Sequence, residues 1–283
     1  MIIDTHAHLD FPDFAGDIDA VIHRAAEMGV TRILTIGTSV EGSRRAVALA
    51  EQYPAVYAVV GIHPNSAVEA GPDAVDILRE LARSPRVVAI GETGLDYYRL
   101  PGSRVTHNRV EALANEDTAD IEAAIEDGEV KTAQAALFQQ QLDLAVELGL
   151  NVVVHQRGDC WNDTLAILEP YQGKLRAVFH CFGGSPDEAA ALIELGHLVS
   201  FTGIVTFKNA EIVQQTATAV PDGAFMVETE CPFLAPVPFR GKRCEPAYTR
   251  FVAEKIATLR GVPLEVVIQT TTAAALEFFH FAR

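Results

Sequence analysis

The sequence is poor in features that mark several large classes of protein. Four cysteines occur in 283 residues, none in a C-x-x-C pair, which argues against a disulfide-rich secreted scaffold and favours a reducing compartment. No apolar run approaches the ~20 residues of a membrane span. The first residues, MIIDTHAHLD, contain neither the basic nor the apolar part of a signal peptide. These absences predict a cytoplasmic protein that does not interact with membranes.

Basic residues are also scarce, since 22 Lys and Arg stand against 38 Asp and Glu, for a formal net charge of −16. Proteins that bind long duplex nucleic acid through their whole surface are normally basic. Any role on nucleic acid must therefore depend on a local site. The hydrophobic share of 49% and the length are sufficient for one large globular domain, which we predict over residues 1–283.

Eight short apolar runs recur along the chain, each followed by a helix-like amphipathic stretch. The runs are MIID at 1, RILTIG at 32, VYAVVG at 56, VVAIG at 87, NVVVH at 151, RAVFH at 176, HLVSFTG at 197 and FMVE at 225. Continuous apolar runs are typical of parallel strands that are covered on both faces. Eight strand–helix units predict an α/β fold of the (β/α)8 TIM-barrel type.

One interval is too long for this rhythm, the one between the runs at 87 and 151. The excess corresponds to residues 103–133, which carry eight acidic and three basic residues. We predict an acidic surface insertion, partly helical or partly disordered, in the βα loop after strand 4. Because barrel active sites lie on that face, the insertion is either a lid or a solvated segment without a role.

Polar residues that can bind metals follow or end five of the predicted strands. They are His6 and His8, Glu92, His155, His180, and Glu228 with Glu230. Residues two apart on a strand point to the same side, so His6 and His8 can converge on one ion. The C-terminal ends of barrel strands surround one pocket. A mixed nitrogen and oxygen ligand set large enough for two ions predicts a binuclear hydrolytic centre.

Six segments, in order, resemble the signatures of the TatD-like metal-dependent hydrolases, which belong to the amidohydrolase-type barrels. They are DTHAHLD, GIHP, IGETGLDYYR, VVHQR, FHCFGG and VETECPFLAP with RGKRCEP. The resemblance covers the chain outside the insertion and implies a (β/α)8 barrel with two divalent metal ions. Members of that family act mainly as DNases, often exonucleolytic, and some remove D-amino acids from mischarged tRNA.

The resemblance also implies roles for individual residues. His6 and His8 correspond to ligands of one ion, Glu92 to the carboxylate that bridges both, and His155 and His180 to ligands of the second. Glu230 occupies the position of the family's strand-eight aspartate, as a metal ligand and catalytic carboxylate. A further departure is Cys244, where the family pattern has Asn. Glu228 is expected to support the site by bonding a ligand or a loop amide.

The expected mechanism is hydrolysis by a metal-activated water, with Glu230 orienting the water and taking its proton. Arg157 is two residues past His155 and is expected to contact a phosphate oxygen. The loop residues Arg240 and Arg243 either hold the next phosphate or form a solvated basic loop. His63 either contacts substrate or is structural. The sequence leaves the metals open among Mg, Mn and Zn.

Three functions remain open at this point. The first is a deoxyribonuclease that acts on phosphodiester bonds at the ends of single-stranded DNA. The second is a metal-dependent esterase or deacylase on a small ester or a D-aminoacyl-tRNA, which the acidic charge favours because it repels polyanions. The third is a non-catalytic metal-binding barrel. No feature of the sequence implies a stable protein partner.

Overall fold

The computed structural model describes residues 1–102 and 116–281, the side chains of 116–122 excepted. Eight parallel strands form one sheet in the order β1 to β8. They are β1 Ile2–Ala7, β2 Val30–Ile36, β3 Val56–Val60, β4 Val87–Asp96, β5 Asn151–Arg157, β6 Ala177–Phe179, β7 Leu198–Phe201 and β8 Phe225–Val227. A bridge between Ala7 and Cys231 brings the two edges together. The nearly closed barrel confirms the predicted (β/α)8 fold, and each predicted run overlaps one strand.

Helices connect the strands and surround the barrel. They are α1 Ile18–Glu27, α2 Val40–Gln52, α3 Ala74–Leu81, α4 Glu116–Leu148, α5 Trp161–Leu168, α6 Pro186–Glu194, α7 Glu211–Ala219, α8 Thr249–Arg260 and α9 Leu264–Phe279. Local sequence sets several of their ends. Ser185 and Glu188 form a capping box at the start of α6. Gly29 and Gly149, predicted to end helices, both have a positive φ.

The apolar core has two parts because each strand is covered on both faces. The larger part lies between the strands and the surrounding helices. The smaller part fills the barrel interior with strand residues such as Ile3, Val88 and Met226, and the end of α9 adds Phe278 and Phe279 to it. Asn151, the first residue of β5, donates from Nδ2 to the Phe278 carbonyl at 2.7 Å. Helix α9 therefore closes the end of the barrel at which the strands begin.

The predicted insertion, residues 103–133, is only partly within the described residues, since 103–115 lie outside them. From Glu116 onward the chain is helical and continues without a break as α4. Two contacts connect the last part of the insertion to the residues that precede it: Asp127 accepts the Gly102 N–H at 2.7 Å, and Lys131 Nζ lies 4.5 Å from the centre of the Tyr97 ring. A role as a lid stays a prediction.

Membrane insertion finds no support in the helices that the structure describes. In residues 1–102 and 116–281, none combines the length and the apolar character that crossing a bilayer requires.

Candidate metal centre

The two histidines at the end of β1 lie side by side at the C-terminal end of the barrel. His6 is the fifth residue of β1 and His8 follows the strand, so strand alternation directs both rings to one side. Their Nε2 atoms are 3.3 Å apart. His8 Nδ1 lies 3.1 Å from the Ile36 carbonyl oxygen, so in the neutral ring the proton is on Nδ1. The lone pair of Nε2 then points at the cluster.

One carboxylate, that of Glu92 in β4, lies between two pairs of histidines. Its Oε2 is 3.5 Å from His6 Nε2 and 3.8 Å from His8 Nε2. Its Oε1 is 2.8 Å from both His155 Nδ1 and His180 Nε2. Glu92 is therefore common to two groups of potential metal ligands, one on each of its oxygens.

Gly94, two residues beyond Glu92, explains how β4 and β5 approach so closely here. Its φ is +132°, and a Cβ atom at this position would lie 2.1 Å from the His155 carbonyl oxygen. Only glycine combines this backbone conformation with this separation. The glycine thus allows β5 to place His155 beside the Glu92 carboxylate.

Asp96, to which the sequence analysis gave no role, contacts His155 of the second pair on the ring nitrogen that faces away from Glu92. His155 Nδ1 and His180 Nε2 are 3.2 Å apart, and His155 Nε2 lies 3.2 Å from Asp96 Oδ2. This contact orients the ring and directs Nδ1 at the cluster. Asp96 is the last residue of β4. The position at a strand end that identified the histidines would therefore have identified Asp96 as well.

The pKa of Asp96 reflects this contact. Burial by itself raises the pKa of the carboxyl, but the hydrogen bond and charge of His155, together with Asn65 and His63, outweigh burial and lower it to about 2. Asp96 is therefore ionised at neutral pH and accepts the His155 hydrogen bond.

Two buried glutamines of α4, also not foreseen, fix the backbone around the site. Gln134 accepts the Asp96 N–H at 2.9 Å and donates to the Asp96 carbonyl at 3.2 Å. Gln141 makes the same pair of bonds with Ile62, at 2.8 and 3.0 Å. They are seven residues apart and lie on one face of the helix. The helix thereby holds Asp96 and the residue that precedes His63.

The two glutamates after β8 face in different directions. Glu228 is buried, and its carboxylate accepts bonds from the Cys181 N–H at 2.7 Å and the Ser200 hydroxyl at 2.6 Å. Glu230 instead faces the histidines, with Oε2 3.2 Å from His6 Nε2 and Oε1 3.7 Å from His8 Nε2. Strand alternation does not apply because β8 ends at Val227 and Glu230 has a φ of 61°.

His63 lies at the edge of the cluster, after β3. Its Nε2 is 3.3 Å from His155 Nδ1 and 3.5 Å from Glu92 Oε1. Its Nδ1 accepts the Asn65 N–H at 3.0 Å. Burial, the largest effect on this ring, lowers the pKa of His63 to about 4. The position is compatible with either a contact to substrate or a further ligand.

The ionisation of the carboxylates and that of the histidines in the cluster depend strongly on each other. Burial disfavours ionisation of both Glu92 and Glu230, but the surrounding histidines outweigh it and hold the pKa of each carboxyl well below its usual range. Burial also disfavours charge on His8, but hydrogen bonding and charge from Glu230 outweigh it and raise the pKa to about 9. The site therefore attracts positive charge, as protons or as metal ions that displace them.

The donor set fits divalent cations. His155 Nδ1 and His180 Nε2, like His6 Nε2 and His8 Nε2, face each other at hydrogen-bond distance around ionised carboxylates. Glu230 Oε2 is buried and makes no hydrogen bond with the described residues. A buried carboxylate oxygen without a hydrogen bond is costly, and a cation coordinated by it and by imidazole nitrogens would remove that cost.

The arginines predicted to contact substrate lie outside this cluster. Arg157 is exposed at the end of β5, with its guanidinium 4.2 Å from the centre of the Tyr98 ring. Arg240 is exposed beyond β8, 3.7 Å from the centre of the Phe207 ring. Both positions leave a cation at the surface on the face of the barrel that carries the histidines.

Arg243 does not fit the predicted phosphate contact. Its guanidinium donates to Asp17 Oδ1 and Oδ2 at 2.8 and 2.7 Å, to Glu245 Oε1 at 2.9 Å and to the Asp13 carbonyl at 2.6 Å. These bonds use four of its five N–H groups. Its neighbour Cys244 is buried, and its N–H donates to the Pro232 carbonyl at 2.9 Å. Both residues therefore hold the loop after β8 in place.

Comparison with known proteins gives a consistent result. The family model described as TatD related DNase matches residues 3–280. The uncharacterized metal-dependent hydrolase YcfH of Escherichia coli K12 is 37% identical over 283 residues, covering 99% of this chain and 96% of its own. A protein of Enterobacter lignolyticus named 3′-5′ ssDNA/RNA exonuclease TatD is 34% identical over 266 residues, covering 92% of each.

A solved structure extends the similarity to the whole architecture. The crystal structure of YjjV, a TatD homologue from Escherichia coli K12, superimposes with a TM-score of 0.81 at 27% identity and covers 99% of this chain and 98% of its own. The match of the family model along almost the entire chain, on a barrel whose strand ends assemble histidines and carboxylates, shows that the chain belongs to the TatD family of metal-dependent hydrolases.

Proposed function

We propose that this protein is a binuclear metal-dependent nuclease that removes nucleotides from the ends of single-stranded DNA. The observation that carries the proposal is the position of Glu92, whose two carboxylate oxygens face two separate groups of histidines. One carboxylate shared by two ligand groups suits a pair of ions that flank a phosphodiester.

The residues divide into two ligand groups. His6 and His8 would hold one ion and His155 and His180 the other, with Glu92 bridging the two. Glu230 lies close to both groups, with Oε2 3.2 Å from His6 Nε2 and 3.4 Å from His180 Nδ1. A pair of divalent ions at this site would supply Lewis-acid chemistry to a phosphate oxygen and would lower the pKa of water toward ~7. Imidazoles favour Zn and carboxylates favour Mg or Mn, so the mixed set accommodates any of the three.

The protein side chains position the reactants and move the proton. Glu230 is 16% exposed at its side chain and ionised, so its carboxylate can accept the proton of the attacking water. Asp96 accepts a hydrogen bond from His155 Nε2, so that the Nδ1 lone pair would be available to a metal ion. Arg157 and Arg240 are surface cations on the same face, available to the phosphates of the strand.

The extra methylene of Glu230, relative to the family aspartate, extends the reach of its carboxylate by about 1.5 Å. Its backbone lies in the left-handed region and its N–H donates to the His6 carbonyl at 2.9 Å. The side chain still reaches the histidines of β1. We therefore infer that Glu230 serves at the aspartate position.

The relatives support a nucleic-acid substrate, since one of them is named a 3′-5′ ssDNA/RNA exonuclease. The net charge of −16 supports the second candidate, a deacylase acting on an aminoacyl ester, because an acidic surface repels polyanions. Measured hydrolysis of aminoacyl esters against that of oligonucleotides separates the two.

The test uses protein stripped of metal and reloaded with Mg, Mn or Zn. Release of nucleotides from single-stranded oligonucleotides labelled at the 3′ or 5′ end is followed for the wild type and for Glu92→Ala. Glu194→Ala, at the exposed last residue of α6, controls for loss of one carboxylate. We expect metal-dependent release by the wild type and the control and none by Glu92→Ala. Absence of release with every metal would refute the proposed function.

A further inference from the structure

Two aromatic side chains stand beside the metal centre that the mechanism above does not use. The ring of Phe11 stacks on the imidazole of His8, with centroids 4.8 Å apart and an angle of 23° between the planes. The ring of Phe233 meets Phe11 edge to face, with centroids 5.9 Å apart and an angle of 77°. A continuous chain of ring contacts therefore leads from a candidate metal ligand to Phe233.

The backbone fixes both aromatic residues relative to the candidate ligands. The Phe11 N–H donates to the His8 carbonyl at 3.2 Å, and the Phe233 N–H donates to the Glu230 carbonyl at 2.9 Å. Each aromatic residue thus lies one tight turn beyond a residue of the site. A group held by Phe233 is consequently held at a defined position relative to the ions.

Phe233 is unusually exposed for a phenylalanine of this protein. Its exposed fraction is 52%, whereas Phe14, Phe138 and Phe179 are almost completely buried. A single exposed apolar residue is ordinary on a protein surface. The position beside Glu230 and the rigid backing by Phe11 distinguish this one, because they present a fixed aromatic surface next to the reacting groups.

We propose that Phe233, backed by Phe11, is a stacking platform for the base of the nucleotide next to the scissile phosphate. This inference rests on the proposed nuclease function and names how its substrate is recognised. Stacking contributes to single-strand binding without regard to base identity. Stacking also does not depend on the electrostatic field of the protein, which at a net charge of −16 disfavours binding of a polyanion.

The test compares two oligonucleotides that differ only in the bases of the last two nucleotides, at the end from which the wild type starts. In one of them these nucleotides are abasic. We expect Phe233→Ala to lower kcat/KM for the intact substrate roughly 5- to 150-fold, the equivalent of stacking one base, and to change that for the abasic substrate little. Phe233→Trp, which keeps an aromatic ring at this position, should retain the wild-type kcat/KM on the intact substrate.

The control variant is Leu195→Ala, an exposed apolar residue between α6 and β7 at the opposite end of the barrel. It should leave both rates unchanged, and all variants should bind as much metal as the wild type. Equal losses on the two substrates, or no loss on the intact one, would overturn the role of Phe233 while leaving the nuclease function in place. Absence of cleavage by the wild type would refute the nuclease function, and this inference with it.

Discussion

His197, a buried histidine far from the metal centre, should make the stability of the protein depend on pH. It precedes β7 and is 5% exposed. Its Nδ1 accepts the Ala177 N–H at 3.2 Å, so protonation of the ring would place two donors face to face. Burial, with a smaller contribution from the charge of Arg176, lowers the pKa of His197 from 6.5 to about 4.

The size of the effect follows from linkage. Each unit of pKa difference corresponds to about 1.4 kcal/mol, so protonating His197 in the folded state costs about 3 kcal/mol more than in the unfolded chain. Because the folded pKa is the lower one, the contribution of His197 is intact above pH 6.5. It is lost as the pH falls from 6.5 toward 4. Between pH 7.5 and 5.0 the loss amounts to about 2 kcal/mol.

The assay is urea denaturation of wild type and His197→Asn at pH 7.5 and 5.0, in one buffer and at one metal concentration. Asn keeps an acceptor at the position of Nδ1 but does not titrate. The variant should therefore lose about 2 kcal/mol less unfolding free energy than the wild type across this range. His23→Asn, at a side chain that is 74% exposed, should behave as the wild type does. Identical pH dependence in wild type and His197→Asn would refute the reasoning.

Three further predictions concern the site and the loop after β8. Gly94→Ala should weaken metal binding in calorimetric titration, because its Cβ would meet the His155 carbonyl oxygen at 2.1 Å. The control is Gly29→Ala, which is also at a positive φ but has open space around it, and this variant should bind metal as the wild type does. Glu228→Ala should lower the unfolding free energy by about 3 kcal/mol, because it leaves the Cys181 N–H and the Ser200 hydroxyl without their acceptor. Glu228→Gln should lower it by only about 1 kcal/mol, and equal losses in the two variants would contradict the role of these hydrogen bonds. Arg243→Ala should lower the melting temperature at pH 6 by breaking the bonds to Asp17, whose pKa is lowered from 3.8 to about 2 by Arg243 and, to a smaller extent, by Arg24. Because that pKa is depressed, the difference from wild type should shrink as the pH falls from about 4 to 2, and a constant difference would count against the assignment.

The strands were predictable because each contains a short apolar run that is buried in the barrel. The run at 225 is an example, since β8 is Phe225–Val227 and all three residues are buried. The length of β4 was not predictable. It extends through Gly91 and Gly94 to Asp96, although glycine weakens strands, because these glycines allow β5 to approach closely.

The grouping of histidines at one end of the barrel was predictable from strand ends alone, but the contacts behind them were not. Gln134 and Gln141 look like ordinary polar positions of a helix, and only the packing of α4 against the barrel turns them inward. The engagement of Arg243 by Asp17 also joins residues far apart in the chain. Such pairs depend on tertiary structure, which a local pattern does not encode.

The junction of the first and last strands has a consequence for when the protein acquires its chemistry. The His8 N–H donates to the Cys231 carbonyl at 2.8 Å, and the Glu230 N–H donates to the His6 carbonyl. His6 and His8, the first candidate ligands in the sequence, therefore meet Glu230, the last one, only where the ends of β1 and β8 come together. A nascent chain that has emerged from the ribosome only as far as β7 carries the histidines but lacks Glu230. The full set of candidate metal ligands is therefore complete only late in synthesis, after β8 and Glu230 have emerged.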